Sequence, residues 1–425
     1  MKRIAVLLML MAFVAGMAFA SGEQEGTQEE AEQVTLDFVW FTDGKEDEVL
    51  KDILADYKEE NPNVSFNLIE VPYNDLNTKI KTMVAGGEAP DLARVTNTGQ
   101  LAPSLLDLKP YVEEGFLDQF VQSSHPYVAI DGGIVGVPVD TTANGIIYNK
   151  DYFEQAGVEV PTEKSDLEDL WTWDEWADAL EKVVENSDAR YGLAYDFSPH
   201  RWSTLLYQAG GQFLSADGTE SMIDSDAGER AVEFFVELHE RDIIPESIWL
   251  GGENPNTLFR SGVTAMHFAG NWMLTNYKEN ITDFDWGVAY MPKEERRSSV
   301  FGGKFLSSFK EATHKEEAVE FLKYFASQEV NAKFNRESLF LSARKDNAEL
   351  DYNFGSDMFA IFSNELAVSP PAAGSDWAYN RIIGAVYSDI RKEIVAAIQG
   401  NQSPKQAVED MDEMIQGRID EVQGD

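Results

Sequence analysis

The chain has no cysteine among its 425 residues. That absence excludes disulfides, thiolate metal sites and a lipid anchor carried on an N-terminal cysteine. Basic residues are scarce: 34 Lys and Arg stand against 75 Asp and Glu, for a net charge of −41. A surface of that sign repels polyanions, which excludes nucleic acid and anionic membranes as favoured partners. The five histidines, His125, His200, His239, His267 and His314, are scattered, and none stands at the i, i+4 spacing that holds zinc on a helix. No metal and no other cofactor is expected. A P-loop, a Gly-x-Ser-x-Gly elbow and a full Gly-x-Gly-x-x-Gly are all missing. Carboxylates are so plentiful that no two stand out as a glycosidase acid and base. Past the N-terminal segment, no apolar run reaches the roughly 18 to 20 residues of a membrane-spanning helix.

The apolar run at the start is of a different kind. Met1-Lys2-Arg3 precedes Ile4 to Phe19, and Ala18-Phe19-Ala20 closes the segment. A basic start, an apolar middle and an Ala-x-Ala end describe a secretory signal peptide over residues 1–20. The mature protein is then expected to be soluble and exported to the periplasm or the exterior, with no cysteine for lipidation. Residues 21–33 are acidic and almost without apolar side chains, the composition of a disordered linker. The remaining length fits two domains or one large one. A hydrophobic content of 43% with 25 Phe supplies a sizeable core.

Strand and helix patterns then alternate. Val34 to Trp40 reads as a strand, Glu46 to Asn61 as an amphipathic helix and Val64 to Val71 as a second strand. Asn74 to Ala85 is helical, and Leu92 to Val95 is a short buried strand. The alternation predicts an α/β sheet with parallel strands. Ligands of such sheets sit beyond the carboxyl ends of the strands. That rule points to Trp40, Thr42 and Asp43 after the first strand, and to Asn97 and Thr98 after the third. Residues 134–153 carry the strongest functional signal. They read as a short strand, a Gly-Pro break, a polar loop with Asp140, Thr141, Thr142 and Asn144, and a second strand ending at Tyr148-Asn149-Lys150. Small hydrogen-bonding side chains held between strands suit the floor of a cleft, and an Asp- and Thr-rich turn has the same composition.

Four tryptophans, Trp40, Trp202, Trp272 and Trp377, lie at strand ends or helix starts beside Gly, Pro or small polar residues. Aromatic faces stack on the C–H faces of sugar rings while polar neighbours take the hydroxyls. Trp171, Trp173, Trp176, Trp249 and Trp286 read as packing. Asn271 precedes Trp272, and His200 precedes Arg201-Trp202 in a candidate cleft loop. Gly302-Gly303 lets backbone amides approach a ligand, or is a plain turn. Lys304 and Arg344 pair either with ligand or with the abundant carboxylates.

The ordered motifs resemble the extracellular solute-binding proteins of sugar ABC transporters, the family that includes maltose-binding protein. The carrying segments are Asp56-Tyr57-Lys58-Glu59-Glu60-Asn61-Pro62, Met83-Val84-Ala85-Gly86-Gly87-Glu88-Ala89-Pro90-Asp91, and Gly136-Val137-Pro138 followed by Tyr148-Asn149-Lys150-Asp151. Ala156-Gly157 with Pro161, Trp173-Asp174-Glu175, Phe259-Arg260-Ser261-Gly262 with Ala265-Met266, and Gly270-Asn271-Trp272 follow in the expected order. The resemblance implies a two-lobed periplasmic-binding-protein type II fold closing on ligand like a hinged clamp. It implies a first lobe of residues 34–139 plus 303–344 and a second of 140–302 plus 345–425. It makes the Asp140–Thr142 loop, Trp272 and Trp377 ligand contacts, and places an aromatic contact near His200 to Trp202.

The function expected is capture of a sugar or oligosaccharide and its delivery to an ABC-transporter permease, with no catalysis and a monomeric protein. Two rivals stand beside it: a secreted carbohydrate-active enzyme, and a binding protein for a non-sugar solute or for a chemoreceptor. On this reading, replacing Asp140 by Ala weakens ligand binding more than it lowers the melting temperature.

Overall fold

The computed structural model describes residues 33–42, 44–96, 98–378 and 381–424. The signal peptide, residues 21–32 of the linker, Asp43 and Asn97 lie outside the described residues. The strands are β1 (Val34–Trp40), β2 (Val64–Glu70), β3 (Leu92–Val95), β4 (Ala129–Ile130), β5 (Gly133–Ile134), β6 (Val137–Asn149), β7 (Tyr191–Tyr195), β8 (Thr264–Gly270), β9 (Trp286–Ala289), β10 (Phe301–Ser307) and β11 (Leu341–Ser342). One sheet runs β2-β1-β3-β10-β6-β8-β7, with β9 and β11 also paired to β6, while β4 and β5 form a small hairpin.

The fold is two-lobed, and β6 belongs to both lobes. Its first part pairs antiparallel with β10, from Val137 opposite Leu306 to Ala143 opposite Phe301. From Asn144, opposite Gly270, its partners become β8 and β9. Parallel pairing, expected throughout, is confined to β1 with β2 and β3 and to β7 with β8. The connections through β6, β10 and β11 are antiparallel because the chain crosses between lobes and returns.

The polar stretch 140–144 is not a loop. It lies inside the unbroken strand β6. Both edges of β6 are occupied there: β11 pairs Thr141 and Asp140 on one side while β10 pairs the same residues on the other. Burial of this polar stretch is met by specific partners. The Ala143 amide donates to Asn271 Oδ1 at 2.9 Å and the Asn144 amide to Ser299 Oγ at 2.9 Å. Asp140 faces two cations, Arg94 and Lys304. Turn-forming composition is overridden once the chain is paired on both sides.

Around the first lobe's sheet, the helices Glu46–Glu60, Lys315–Ala326 and Gln328–Ser338 bury Leu50, Ile53, Phe321, Phe325 and Phe334 against Leu36 and Phe38. In the second lobe, the helix Trp173–Asn186 begins with a capping box between Thr172 and Glu175. It buries Trp173 and Trp176 against the helix Asp226–Glu240, where Phe234 stacks on Trp173 at 4.5 Å. The helix Lys150–Ala156 ends at Gly157 with φ 61°, the left-handed stop that glycine permits.

Candidate functional site

The helix Pro199–Gln208 starts directly after β7. Ser198 caps it through its hydroxyl and Pro199 occupies the first turn, where a missing N–H does no harm. The next residues therefore stand at the carboxyl end of the sheet. His200 Nε2 lies 3.2 Å from the Phe301 carbonyl oxygen, and its ring meets the Trp377 ring edge-on at 4.8 Å. A Cβ added to Gly302 would fall 2.5 Å from Thr142 Oγ1 and 3.9 Å from His200. Thr142, His200, Gly302 and Trp377 are thus neighbours where β6 and β10 cross between lobes. Trp377 is held by Nε1 donating to Ser203 Oγ at 3.0 Å. Burial, reinforced by the neighbouring Arg201 charge, lowers the His200 pKa to about 3, so the imidazole is neutral at physiological pH.

Trp272 stands apart from Trp40, Trp202 and Trp377 in being only partly buried. A Cβ on Gly270 would lie 1.8 Å from its Cζ3 and 2.2 and 2.3 Å from that carbon's two ring neighbours. Both neighbours are scarcely farther than Cζ3 itself, which puts Gly270 over the ring face rather than at its edge. The Arg201 guanidinium lies over the Trp272 ring at 4.7 Å. Arg201 is fixed in turn by Asp196 at 2.6 Å, and His267 Nε2 lies 3.0 Å from the other Asp196 oxygen. Burial opposes ionisation of Asp196, yet Arg201 and His267 together hold its carboxyl below the usual range. Asn271 is fully buried, its side-chain oxygen spent on the β6 backbone.

Other expected residues lie elsewhere. Trp40 and Trp202 are 0% exposed. Trp40 packs on Phe38 and Phe334 with Arg94 over its ring, and Trp202 packs near Phe213, so both are core and present no face to a cleft. Asp140 is 0% exposed, 3.7 Å from Arg94 and 3.5 Å from Lys304. Arg94 also bonds Glu46 at 2.7 Å and the Phe41 carbonyl at 2.6 Å. Asp140 belongs to this buried charge cluster beneath the crossing, which explains why so polar a residue sits in a strand centre. Arg344 is clamped by Asp346, Gln119 and the Ala326 carbonyl oxygen. Thr98 is buried and donates its hydroxyl to the Tyr127 carbonyl. Tyr127 packs against Phe301 and Phe305. Thr141 and Gly303 are buried partners across β6 and β10, and Thr42 is exposed beyond β1.

Several residues at this wall were missed. Arg201 was adjacent to a named histidine, and the Ser-Pro helix start was the signal that could have found it. Tyr387 comes from 189 residues away to place its hydroxyl 2.8 Å from Ser198 Oγ, and nothing local announces it. Tyr73 is 55% exposed and rests on Phe41, with ring centroids 5.2 Å apart. Asp376 is buried one residue before Trp377, accepting from Tyr207 Oη at 3.1 Å and the Phe213 amide at 2.8 Å. Burial raises its pKa to about 7. Between about pH 4 and 7 the unfolded carboxyl ionises while the folded one keeps its proton. Stability from this group therefore falls as pH rises through that window and levels off above it, by on the order of 3–4 kcal/mol. Asp376→Asn should remove the slope. Parallel denaturation midpoints for both proteins from pH 4 to 8 would show the carboxyl not to be shifted.

Among the described residues no grouping of His, Cys, Asp and Glu could hold a metal ion, and no helix is long and apolar enough to cross a membrane. The profile of the bacterial extracellular solute-binding protein family matches residues 42–332. The chain belongs to this family. It is therefore a binding protein and not an enzyme, and the cleft wall needs no acid–base pair. The solute-binding protein is 24% identical over 318 residues to a putative binding protein of Brucella abortus, covering 72% of this chain and 75% of that one. It is 22% identical over 352 residues to the multiple sugar-binding protein of Streptococcus mutans, covering 77% and 79%. In fold it matches an ABC substrate-binding protein of Listeria monocytogenes solved in complex with cycloalternan. That match has a TM-score of 0.76 and 23% identity, over 92% of this chain and 99% of that one.

Proposed function

We propose that this solute-binding protein captures a sugar or oligosaccharide between its lobes and delivers it to the permease of an ABC transporter. The observation that carries the reading is the convergence of Thr142, Gly302, His200 and Trp377 at the crossing of β6 and β10. Aromatic surface from Trp377 and Trp272 suits the C–H faces of sugar rings, and Thr142, neutral His200 and the exposed Thr42 suit hydroxyls. The relative from S. mutans is named for sugar binding, and the L. monocytogenes fold match holds a saccharide, which supports the same ligand class. Asp43 and Asn97 remain proposed contacts on the strand-end rule alone.

The lobes are taken as residues 34–139 with 303–344 and 140–302 with 345–425. The change of β6 partners between Ala143 and Asn144 supports a hinge close to that division. Export through the N-terminal segment and action as a monomer complete the reading. Calorimetric titration against mono- and oligosaccharides tests it, with small-angle scattering following lobe closure. Saturable heat with a smaller radius of gyration is expected. Failure of every sugar, with tight binding of another solute class, would overturn the ligand assignment.

A further inference from the structure

The second-lobe wall carries two guanidiniums that the sugar-binding reading does not use. Arg201 lies in the first turn of the helix Pro199–Gln208, and Arg391 follows Tyr387 by four residues in the helix Tyr387–Ile398. Residues at that spacing share one helix face. This face lies against residues 197–201. The Tyr387 hydroxyl is 2.8 Å from Ser198 Oγ, Arg391 stacks over Phe197 at 4.4 Å, and Arg201 Nη1 donates to the same Ser198 Oγ at 3.3 Å. Burial raises the pKa of the Tyr387 hydroxyl, and both guanidiniums are close enough to work against that shift. Arg201 also lies over the Trp272 ring at 4.7 Å, which sets the row beside the proposed sugar contacts.

The charges in this row do not cancel. Asp196 neutralises Arg201 at 2.6 Å. Among the described residues no carboxylate lies within ion-pair distance of Arg391. Arg230, by contrast, has two carboxylate partners and Arg241 three. Arg391 instead rests partly exposed on an aromatic ring beside a second arginine. A neutral sugar gains little from an excess positive charge. A carboxylate gains much, because its two oxygens match the planar guanidinium fork. With a net charge of −41 repelling anions at a distance, close contacts of this kind are what an anionic ligand would need.

We propose that the ligand is an acidic saccharide, a uronic-acid-containing sugar or oligosaccharide, whose carboxylate is held by Arg391 and Arg201 beside Tyr387. The proposal rests on the sugar-binding reading and narrows it to one ligand class. The test titrates the full mature protein with trisaccharides of galacturonic, glucuronic and mannuronic acid, each beside the neutral trisaccharide of the same linkage. At least one uronate should bind about ten- to a hundred-fold more tightly than its neutral counterpart, the range of a charge-assisted hydrogen bond. Arg391→Gln should lose about that factor for the uronate while its melting curve shows a folded protein. Raising the salt from 0.05 to 0.5 M should weaken the uronate selectively. A neutral trisaccharide bound as tightly as every uronate would overturn the acidic class and leave sugar binding standing. Binding of a sugar phosphate with no uronate bound would also overturn it. No saccharide bound, with another solute class bound, would overturn both readings.

Discussion

Asp140→Ala should destabilise the protein by about 3–5 kcal/mol, the range for breaking a buried ion pair from one side. This reverses the expectation from sequence that Asp140 matters more for ligand than for stability. Asp140 is 0% exposed and faces Arg94, also 0% exposed, and Lys304, 5% exposed. Removing its carboxylate leaves two cations close together in a space that water does not reach, where Glu46 bonds Arg94. Lys304→Met added to Asp140→Ala should recover part of the loss, because one buried cation then disappears. Urea unfolding of the two variants measures both effects, and titration measures affinity independently. A stability change under 1 kcal/mol with a large loss of affinity would return Asp140 to the ligand.

Gly270→Ala should do the opposite, weakening ligand binding by about ten-fold or more while changing stability by about 1 kcal/mol. The new methyl group would sit 1.8 Å from the Trp272 ring, a distance no packing tolerates. The clash is with the far end of a side chain, so Trp272 can swing away and the strand can survive. In swinging, the ring leaves the Arg201 guanidinium that lies over it at 4.7 Å. Gly270 and Trp272 are thus coupled as floor and platform, and Trp272→Ala should show a similar affinity loss with no additive effect in the double variant. Unchanged affinity in Gly270→Ala would take Trp272 out of the ligand contacts.

Much of the molecule was legible in the sequence. The bounds of β1 and β3 emerged as read, and the Thr172–Glu175 capping box and the Gly157 helix stop are local patterns of the same kind. These features depend on period, caps and backbone freedom, which neighbours in sequence decide. The family was legible for a related reason: its motifs mark helix ends and turns in a fixed order. The four tryptophans were not separable this way. All sit at element ends, yet Trp40 and Trp202 are core, Trp377 is nearly buried and Trp272 is partly open. Burial of Trp40 and Trp377 depends on Phe334, Arg94 and Ser203, which the chain brings from far away.

Sequence by itself determined the order of elements, the places where helices start and stop, and the acidic, cysteine-free character of the surface. Tertiary structure decided that residues 140–144 are strand and not loop, that Asp140 answers buried cations, and that Arg201, Tyr387 and Arg391 form one wall. The physical reason is common to all three. A strand paired on both edges, a buried charge with its counterions and a row assembled from two helices each depend on partners distant in sequence, and composition carries no record of which partners will meet.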